Sequence, residues 1–184
     1  MEREIVVTGI GGQGVQLIAK LLAQAAVREG RQVMTFGMFM GTIRGGSSES
    51  TVVIADEEIV TPPLVPRAWA VLAMHGAGLP KLAAKAVPDG VLLLNSSLVT
   101  PPEAWPASRV IGVPATALAK EIGQPLGAGM VALGALVAAT GLVSADALSA
   151  ALDGVLPAHR RAQIDGNRQC LARGAAYSAA APPA

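Results

Sequence analysis

The sequence predicts an α/β fold with three layers (α/β/α), in which helices cover a mainly parallel, mixed central sheet. As far as Val113, short runs rich in β-branched residues alternate with segments of helical periodicity, as they do in successive β–α units. From Ala115 onward the pattern is helical throughout. The length of 184 residues suits one domain, which we assign to residues 1–174, with residues 175–184 as a disordered tail.

The predicted elements follow from composition and spacing. Strands are predicted at 4–8, 32–36, 49–55, 69–74, 90–94 and 109–113. Helices are predicted at 15–28, near 79–86, within 127–143, at 144–152 with Ser144 as N-cap, and at 158–173. Segment 127–143 carries no charge, but its glycines and the lack of flanking basic clusters favour a buried helix over a membrane span.

The composition excludes several function classes. Fourteen basic against 13 acidic residues and only 3% aromatic residues give neither the basic surface nor the stacking platforms of a nucleic-acid-binding protein. With Cys170 as the single cysteine and two histidines, His75 and His159, the chain cannot hold an iron–sulfur cluster, and we expect no metal site. The acidic, strand-like start differs from a signal peptide, so we expect a cytoplasmic protein that does not bind membranes.

Gly9, Gly11 and Gly14 form G-x-G-x-x-G between a predicted strand and a predicted helix, a Rossmann-like start. Glycines let the backbone approach an anion closely, and a helix N-terminus offers free N–H groups and a positive dipole end. The second strand ends in Thr35-Phe36-Gly37 without an acid for a ribose, which disfavours an NAD site, and no Walker A lysine follows Gly14. The alternative that the glycines only permit tight strand-to-helix packing stays open.

A second motif is the segment from Arg44 to Ser48, which reads Arg-Gly-Gly-Ser-Ser. An arginine beside paired glycines and hydroxyls suits a phosphate or carboxylate, although a turn with the arginine paired to a neighbouring acid is an equal alternative. Both loops follow strands, so we expect them at one edge of the sheet, where ligands gather. For His75 we expect a helix cap or a hydrogen bond with a neighbouring carbonyl rather than a catalytic role, and residues 95–97 either cap a helix or touch a ligand. No nucleophile has a base beside it, so we assign no catalytic residue.

Four segments together resemble a known family: GIGGQGV at 9–15, IRGGSSESTVVIADEEI at 43–59, IVTP at 59–62 and GVLLLNSS at 90–97. The chain resembles, from about Glu4 to Arg173, the gamma subunit of the 2-oxoacid:ferredoxin oxidoreductases, a family that includes the indolepyruvate oxidoreductase beta subunit. The resemblance implies a subunit of a thiamine diphosphate-dependent complex that oxidatively decarboxylates a 2-oxoacid. Departures from the family pattern at Trp69, 39–41 and 126–129 leave the 2-oxoacid open among pyruvate, 2-oxoglutarate, branched-chain, indolepyruvate and arylglyoxylate types.

The resemblance also implies cofactors and partners. Coenzyme A would bind this chain as a substrate, while thiamine diphosphate, magnesium and iron–sulfur clusters would lie on partner subunits. The partners would be alpha and beta subunits, in some complexes a ferredoxin-like delta subunit, and ferredoxin or another electron acceptor. Carried over residue by residue, the coenzyme contacts would be Gly9, Gly11, Gly12, Gln13, Gly14 and Val15 of the first loop and Arg44, Gly45, Gly46 and Ser47 of the second.

Two other function classes stay open. One is a stand-alone oxidoreductase that binds NAD or FAD through the G-x-G-x-x-G loop. The other is a purely structural scaffold subunit in which the glycines only pack. If the chain is instead a subunit of the resembled family, we expect it to be inactive in isolation, since no residue set supplies a nucleophile with its base.

Overall fold

The computed structural model describes residues 1–39, 46–62, 64–107 and 109–180, which form six strands and six α-helices. The strands are β1 (Glu2–Ile10), β2 (Gln32–Phe39), β3 (Ser47–Ala55), β4 (Ala68–Ala73), β5 (Ala86–Asn95) and β6 (Arg109–Val113). The helices are α1 (Val15–Arg28), α2 (Leu79–Ala83), α3 (Ala115–Glu121), α4 (Ala128–Thr140), α5 (Ala145–Val155) and α6 (Ile164–Ala180). Short 3₁₀ turns at Gly76–Gly78 and Ala158–Gln163 lead into α2 and α6.

The six strands form one mixed sheet in the order β2-β3-β1-β4-β5-β6. Strands β1, β4, β5 and β6 pair in parallel, whereas β3 is antiparallel to both of its neighbours, β1 and β2. The prediction of an α/β fold with a mainly parallel, mixed sheet is confirmed. Because β3 runs backwards between β1 and β2, its first residues lie at the edge where those two strands end.

The two faces of the sheet are covered differently. Alternate strand residues, such as Ile5 and Leu93, pack against α1 and α3–α6 on one face. The residues between them, such as Val6 and Leu92, pack against α2 and connecting segments that contain Val65. The alternation follows from the two-residue period of a strand. The helices therefore gather mainly on one face, and a thinner layer of α2 and connections covers the other.

Helix α4 is the uncharged segment, and it is buried from Gly129 to Val137. Helix α6 packs directly on it because two glycines remove the side chains at the crossing. A Cβ at Gly174 would collide with the carbonyl oxygen of Val131, and one at Gly134 would collide with that of Leu171. The prediction of a buried helix is therefore confirmed, and no helix among the described residues is long and apolar enough to cross a membrane.

The predicted tail is wrong in part. Helix α6 continues to Ala180, so residues 175–180 are helical. Two effects explain the extension: Tyr177 packs against the main core cluster, and the alanines around it have the highest intrinsic helix propensity. Residues 181–184 lie outside the described residues.

Candidate functional site

The glycine loop is a tight turn at the end of β1. Gly12 and Gly14 have φ values of 95° and 75°, which is a left-handed backbone conformation that residues with a Cβ rarely adopt. The Gln13 N–H donates to the carbonyl of Ile10 at 3.1 Å and closes the turn. The loop thus has a fixed shape that depends on glycine at two positions.

The loop is joined to the start of β3. The Gly11 N–H donates to the carbonyl of Gly46 at 3.0 Å, and Ile10 pairs with Ser47 in the sheet. The expectation that the two predicted loops share one sheet edge is therefore confirmed for Gly46 and Ser47. Arg44 and Gly45 lie outside the described residues.

The Gln13 side chain points back into the protein. Its Oε1 accepts a hydrogen bond from the Ile10 N–H at 2.9 Å, and its Nε2 donates to the carbonyl of Met74 at 3.2 Å. It also lies over Gly9, where an added Cβ would come within 2.6 Å of the Gln13 Oε1. Both polar atoms of the Gln13 amide are thus used to tie the end of β1 to the end of β4.

The first turn of α1 presents backbone donors. No described residue accepts a hydrogen bond from the N–H groups of Gly12, Gly14 or Val15, and the first bond of the helix runs from the Ile18 N–H to the Gly14 carbonyl at 2.9 Å. The Val15 side chain is buried, so only its backbone can face a ligand. These donors, together with the helix dipole, favour an anion at this place.

Helix α4 begins against the same loop. An added Cβ at Gly129 would lie 3.2 Å from the Gln13 carbonyl oxygen and 3.0 Å from Cδ1 of Ile18. Both distances are tighter than most contacts that a real Cβ makes, so glycine at this position lets the N-terminus of α4 lie close beside that of α1. Two positive dipole ends therefore meet at the glycine loop.

A cleft of about 420 Å³ opens over this junction. The residues that line it are Gly12, Gln13, Gly14, Leu17, Gln124, Pro125, Leu126, Gly127, Gly129, Met130, Leu156, Arg160, Gln163 and Asn167. Arg160 is the one charged side chain among them, and the described lining contains no carboxylate. The cleft is therefore electropositive and suits an anionic ligand.

The segment 124–129 forms the floor of the cleft between the glycine loop and α6. At its far end, the Gln124 side chain packs against Gly166, and Gly127 lies against the Cys170 sulfur. Burial raises the pKa of the Cys170 thiol, so this group stays protonated at neutral pH behind the cleft wall. Cys170 is thus a packing residue.

Other residues considered in the sequence have structural partners. The Thr116 N–H donates to Asn95 Oδ1 at 3.3 Å, and the Ala117 N–H donates to Ser97 Oγ at 3.2 Å, so these two residues cap the first turn of α3. His75 Nδ1 accepts from the Ala77 N–H at 3.2 Å and caps the 3₁₀ turn, as expected. Among the described residues, no three His, Cys, Asp or Glu side chains group closely enough to hold a metal ion.

Sequence reasoning missed the second half of the cleft. It placed residues 158–173 on a charged amphipathic helix and did not connect Arg160 with the glycine loop, which lies almost 150 positions earlier in the chain. The available signal was the pair Gly127 and Gly129 at the start of an uncharged helix, since such a pair permits a close approach to another backbone. That signal locates a contact but does not identify its partner.

Comparison with known proteins places the chain among oxidoreductases. A model of the family pyruvate ferredoxin/flavodoxin oxidoreductase matches residues 4–177. The chain is 34% identical over 142 residues to the 2-oxoglutarate synthase subunit KorC of Archaeoglobus fulgidus, across 77% of this chain and 72% of that protein.

Two solved structures share the fold. The gamma subunit of a keto/oxoacid ferredoxin oxidoreductase from Geobacter sulfurreducens superposes with a TM-score of 0.81 at 31% identity, over 97% of this chain and 99% of that one. A 2-oxoglutarate:ferredoxin oxidoreductase from Magnetococcus marinus, solved with 2-oxoglutarate, coenzyme A and succinyl-CoA bound, gives a TM-score of 0.84 at 24% identity. It matches all of this chain with 32% of its own length.

Proposed function

The chain belongs to the pyruvate ferredoxin/flavodoxin oxidoreductase family as a gamma-type subunit, and from this premise we propose that it binds coenzyme A for a 2-oxoacid oxidoreductase complex. In the complex, a 2-oxoacid loses CO₂, its acyl group is transferred to the thiol of coenzyme A, and two electrons pass to ferredoxin or another acceptor. Thiamine diphosphate, magnesium and iron–sulfur clusters lie on the alpha, beta or ferredoxin-like subunits. This chain holds the nucleotide end of the coenzyme.

The observation that carries the proposal is the electropositive cleft at the glycine loop. The N–H groups of Gly12, Gly14 and Val15 have no acceptor among the described residues, and the N-termini of α1 and α4 meet beside them. The pyrophosphate of coenzyme A supplies the negative oxygens that such a loop binds. The thiol at the other end of the coenzyme is then free to reach a partner subunit.

The NAD or FAD alternative is less compatible with the sheet. Dinucleotide-binding folds place a parallel strand beside β1, and an acid at the end of that strand binds the ribose hydroxyls. Here the neighbour on that side is the antiparallel β3, whose first residues Ser47 and Ser48 reach the edge. A serine hydroxyl does not replace the bidentate acceptor that a carboxylate offers to a ribose diol.

The scaffold alternative has one observation in its favour. Gly9 and Gln13 take part in packing and internal hydrogen bonds, so part of the glycine motif is structural. Packing does not account for Gly12 and Gly14, around which an added Cβ would meet no atom within 4 Å. Those two positions need glycine for their backbone conformation, and their N–H groups have no acceptor among the described residues.

Copurification from the source organism tests the subunit role. A tagged chain should carry with it subunits whose sequences contain thiamine and cluster motifs, and the complex should reduce an acceptor dye only when a 2-oxoacid and coenzyme A are both present. A chain that elutes as a lone monomer and lacks any thiamine-containing partner would refute the assignment. The electron acceptor and the 2-oxoacid are then identified from the same preparation.

Substitution of Arg44 by Ala in the assembled complex separates binding from scaffolding. We expect the apparent KM for coenzyme A to rise about tenfold or more, the usual effect of losing a charged hydrogen bond, with little change in the KM for the 2-oxoacid. Arg67→Ala is the matched control, since Arg67 is exposed and forms no ion pair with a described residue. Equal kinetics for both variants and the wild type would support the scaffold.

A further inference from the structure

We infer that Arg160 is a specificity-determining residue that recognises the 3′-phosphate of coenzyme A, so that the cleft discriminates against the dephosphorylated coenzyme. The inference rests on the proposed coenzyme A function and adds to it a second phosphate contact. It assigns to this chain a selection between two cosubstrates that share the same pyrophosphate, pantetheine arm and thiol.

The cleft has two ends with different anion-binding chemistry. Gly129 contacts the glycine loop, whereas Gln124 and Gly127 contact α6, so the segment between them separates the loop from the α6 side. Arg160 lies on the 3₁₀ turn that leads into α6 and lines the same cleft. A ligand bound at the glycine loop through one phosphate group therefore faces Arg160 with another part of its structure.

No described residue neutralises the charge of Arg160. Arg168, eight residues later, contacts Asp153 at 2.9 Å and Asp165 at 3.1 Å, and so takes up the two nearest carboxylates in the sequence. Arg160 itself forms no ion pair or side-chain hydrogen bond with any described residue, unlike Arg3, Arg31, Arg168 and Arg173. An unpaired guanidinium in a cleft whose described lining lacks carboxylates is free to bind a ligand.

The neighbouring side chains favour a phosphate monoester at this end. Gln163 and Asn167 line the cleft with Arg160 and add neutral amide donors. A guanidinium presents a planar fork that binds two oxygens of one phosphate, and amides can donate to the third. The glycine loop offers backbone N–H groups without a side-chain cation, which suits the less compact charge of a pyrophosphate.

The test compares coenzyme A with dephospho-coenzyme A as cosubstrates of the purified complex. For each, kcat/KM is measured with wild type, Arg160→Gln, Arg160→Lys and Arg161→Gln. Arg161 is the matched control because it is the adjacent exposed arginine and does not line the cleft. Equilibrium binding of both coenzymes to the complex without 2-oxoacid provides a readout that does not depend on turnover.

We expect the wild type to prefer coenzyme A by about 10- to 100-fold, the range for one charged hydrogen-bonding pair. In Arg160→Gln the ratio of kcat/KM for coenzyme A to that for dephospho-coenzyme A should fall close to 1, because only the value for coenzyme A decreases. Arg160→Lys should retain part of the preference for coenzyme A, and Arg161→Gln should retain all of it. If Arg160→Gln leaves the preference for coenzyme A unchanged, or lowers kcat/KM equally for both coenzymes, the inference is overturned and the proposed function stays intact. A wild-type complex that ignores coenzyme A altogether would overturn the proposed function itself.

Discussion

Replacing Gln13 by Ala tests whether this residue supports the loop or contacts the ligand. The change removes the hydrogen bond to the Ile10 N–H at 2.9 Å and the one to the Met74 carbonyl at 3.2 Å. At about 1 kcal/mol for each bond, the free energy of unfolding should fall by about 2 kcal/mol. In a chain of this size that loss lowers the Tm by about 4–8 °C.

The assay is denaturant unfolding of the purified chain without ligand, followed by far-UV circular dichroism. Gln24→Ala is the matched control, since Gln24 lies on α1 and its side chain has no hydrogen-bond partner among the described residues. Gln13→Glu is a second variant, because it keeps an acceptor for Ile10 but places a carboxylate oxygen against the Met74 carbonyl. Its deficit in stability should shrink at acidic pH, where a protonated carboxyl can donate to that carbonyl.

The result that would refute this reasoning is a Gln13→Ala chain within about 0.5 kcal/mol of the wild type, the range of ordinary surface substitutions. A stable variant with a lost coenzyme affinity would instead make Gln13 a ligand contact, as the family resemblance implies. A destabilised variant that still binds the coenzyme in its folded fraction would assign Gln13 to loop support.

Two further predictions concern packing and pH. Gly174→Ala should destabilise the chain by about 2 kcal/mol or more, since the added Cβ collides with the Val131 carbonyl of α4. Gly154→Ala on α5 should stabilise it by about 0.5–1 kcal/mol, because the added Cβ would have only the Arg28 side chain nearby, at 3.9 Å. Thermal unfolding of both variants shows whether the two changes in stability have opposite signs. The Glu2 carboxylate accepts hydrogen bonds from Thr61 Oγ1 at 2.6 Å and the Val60 N–H at 2.7 Å, and these bonds hold its pKa below the ordinary 4.5. A depressed pKa contributes stability that is present at neutral pH and is lost as the pH falls below 4.5, so the stability gap between wild type and Glu2→Gln should narrow in acid. A stability gap between wild type and Glu2→Gln that does not change with pH would contradict the assignment.

Local patterns predicted the elements whose causes are local. The bounds 15–28 predicted for the first helix agree with α1, because Val15, Ile18 and Leu22 recur at helical spacing and Gly30 follows the end of the helix. The buried helix α4 was predictable from the lack of charge in its segment. Ser144 caps α5 as predicted, through the hydrogen bond that its Oγ accepts from the Ala147 N–H at 3.1 Å.

Long-range contacts decided what the sequence could not predict. The position of β3 between β1 and β2 depends on pairings such as Glu2 with Ala55 and Gln32 with Ala55, and no short pattern encodes them. The place of Arg160 depends on the close crossing of α4 and α6 at Gly134 and Gly174, which brings the start of α6 to the glycine loop. The direction of the Gln13 side chain depends on the Met74 carbonyl, 61 residues away.

The G-x-G-x-x-G pattern alone therefore does not specify a ligand, since its residues serve different purposes. The lack of a side chain at Gly9 lets the Gln13 side chain pack against the backbone there. The positive φ values that shape the loop, whose N–H groups have no acceptor among the described residues, occur at Gly14 and at Gly12, which lies between Gly11 and Gly14 of the motif. In dinucleotide-binding folds, the ligand is selected by a carboxylate on the neighbouring parallel strand. Here that neighbour is antiparallel and brings Gly46 and Ser47 to the loop, so selection has to come from another wall of the site. Among the described residues that line the cleft, the one charged group available for selection is Arg160, which favours a ligand with a further negative charge over one with a free ribose diol.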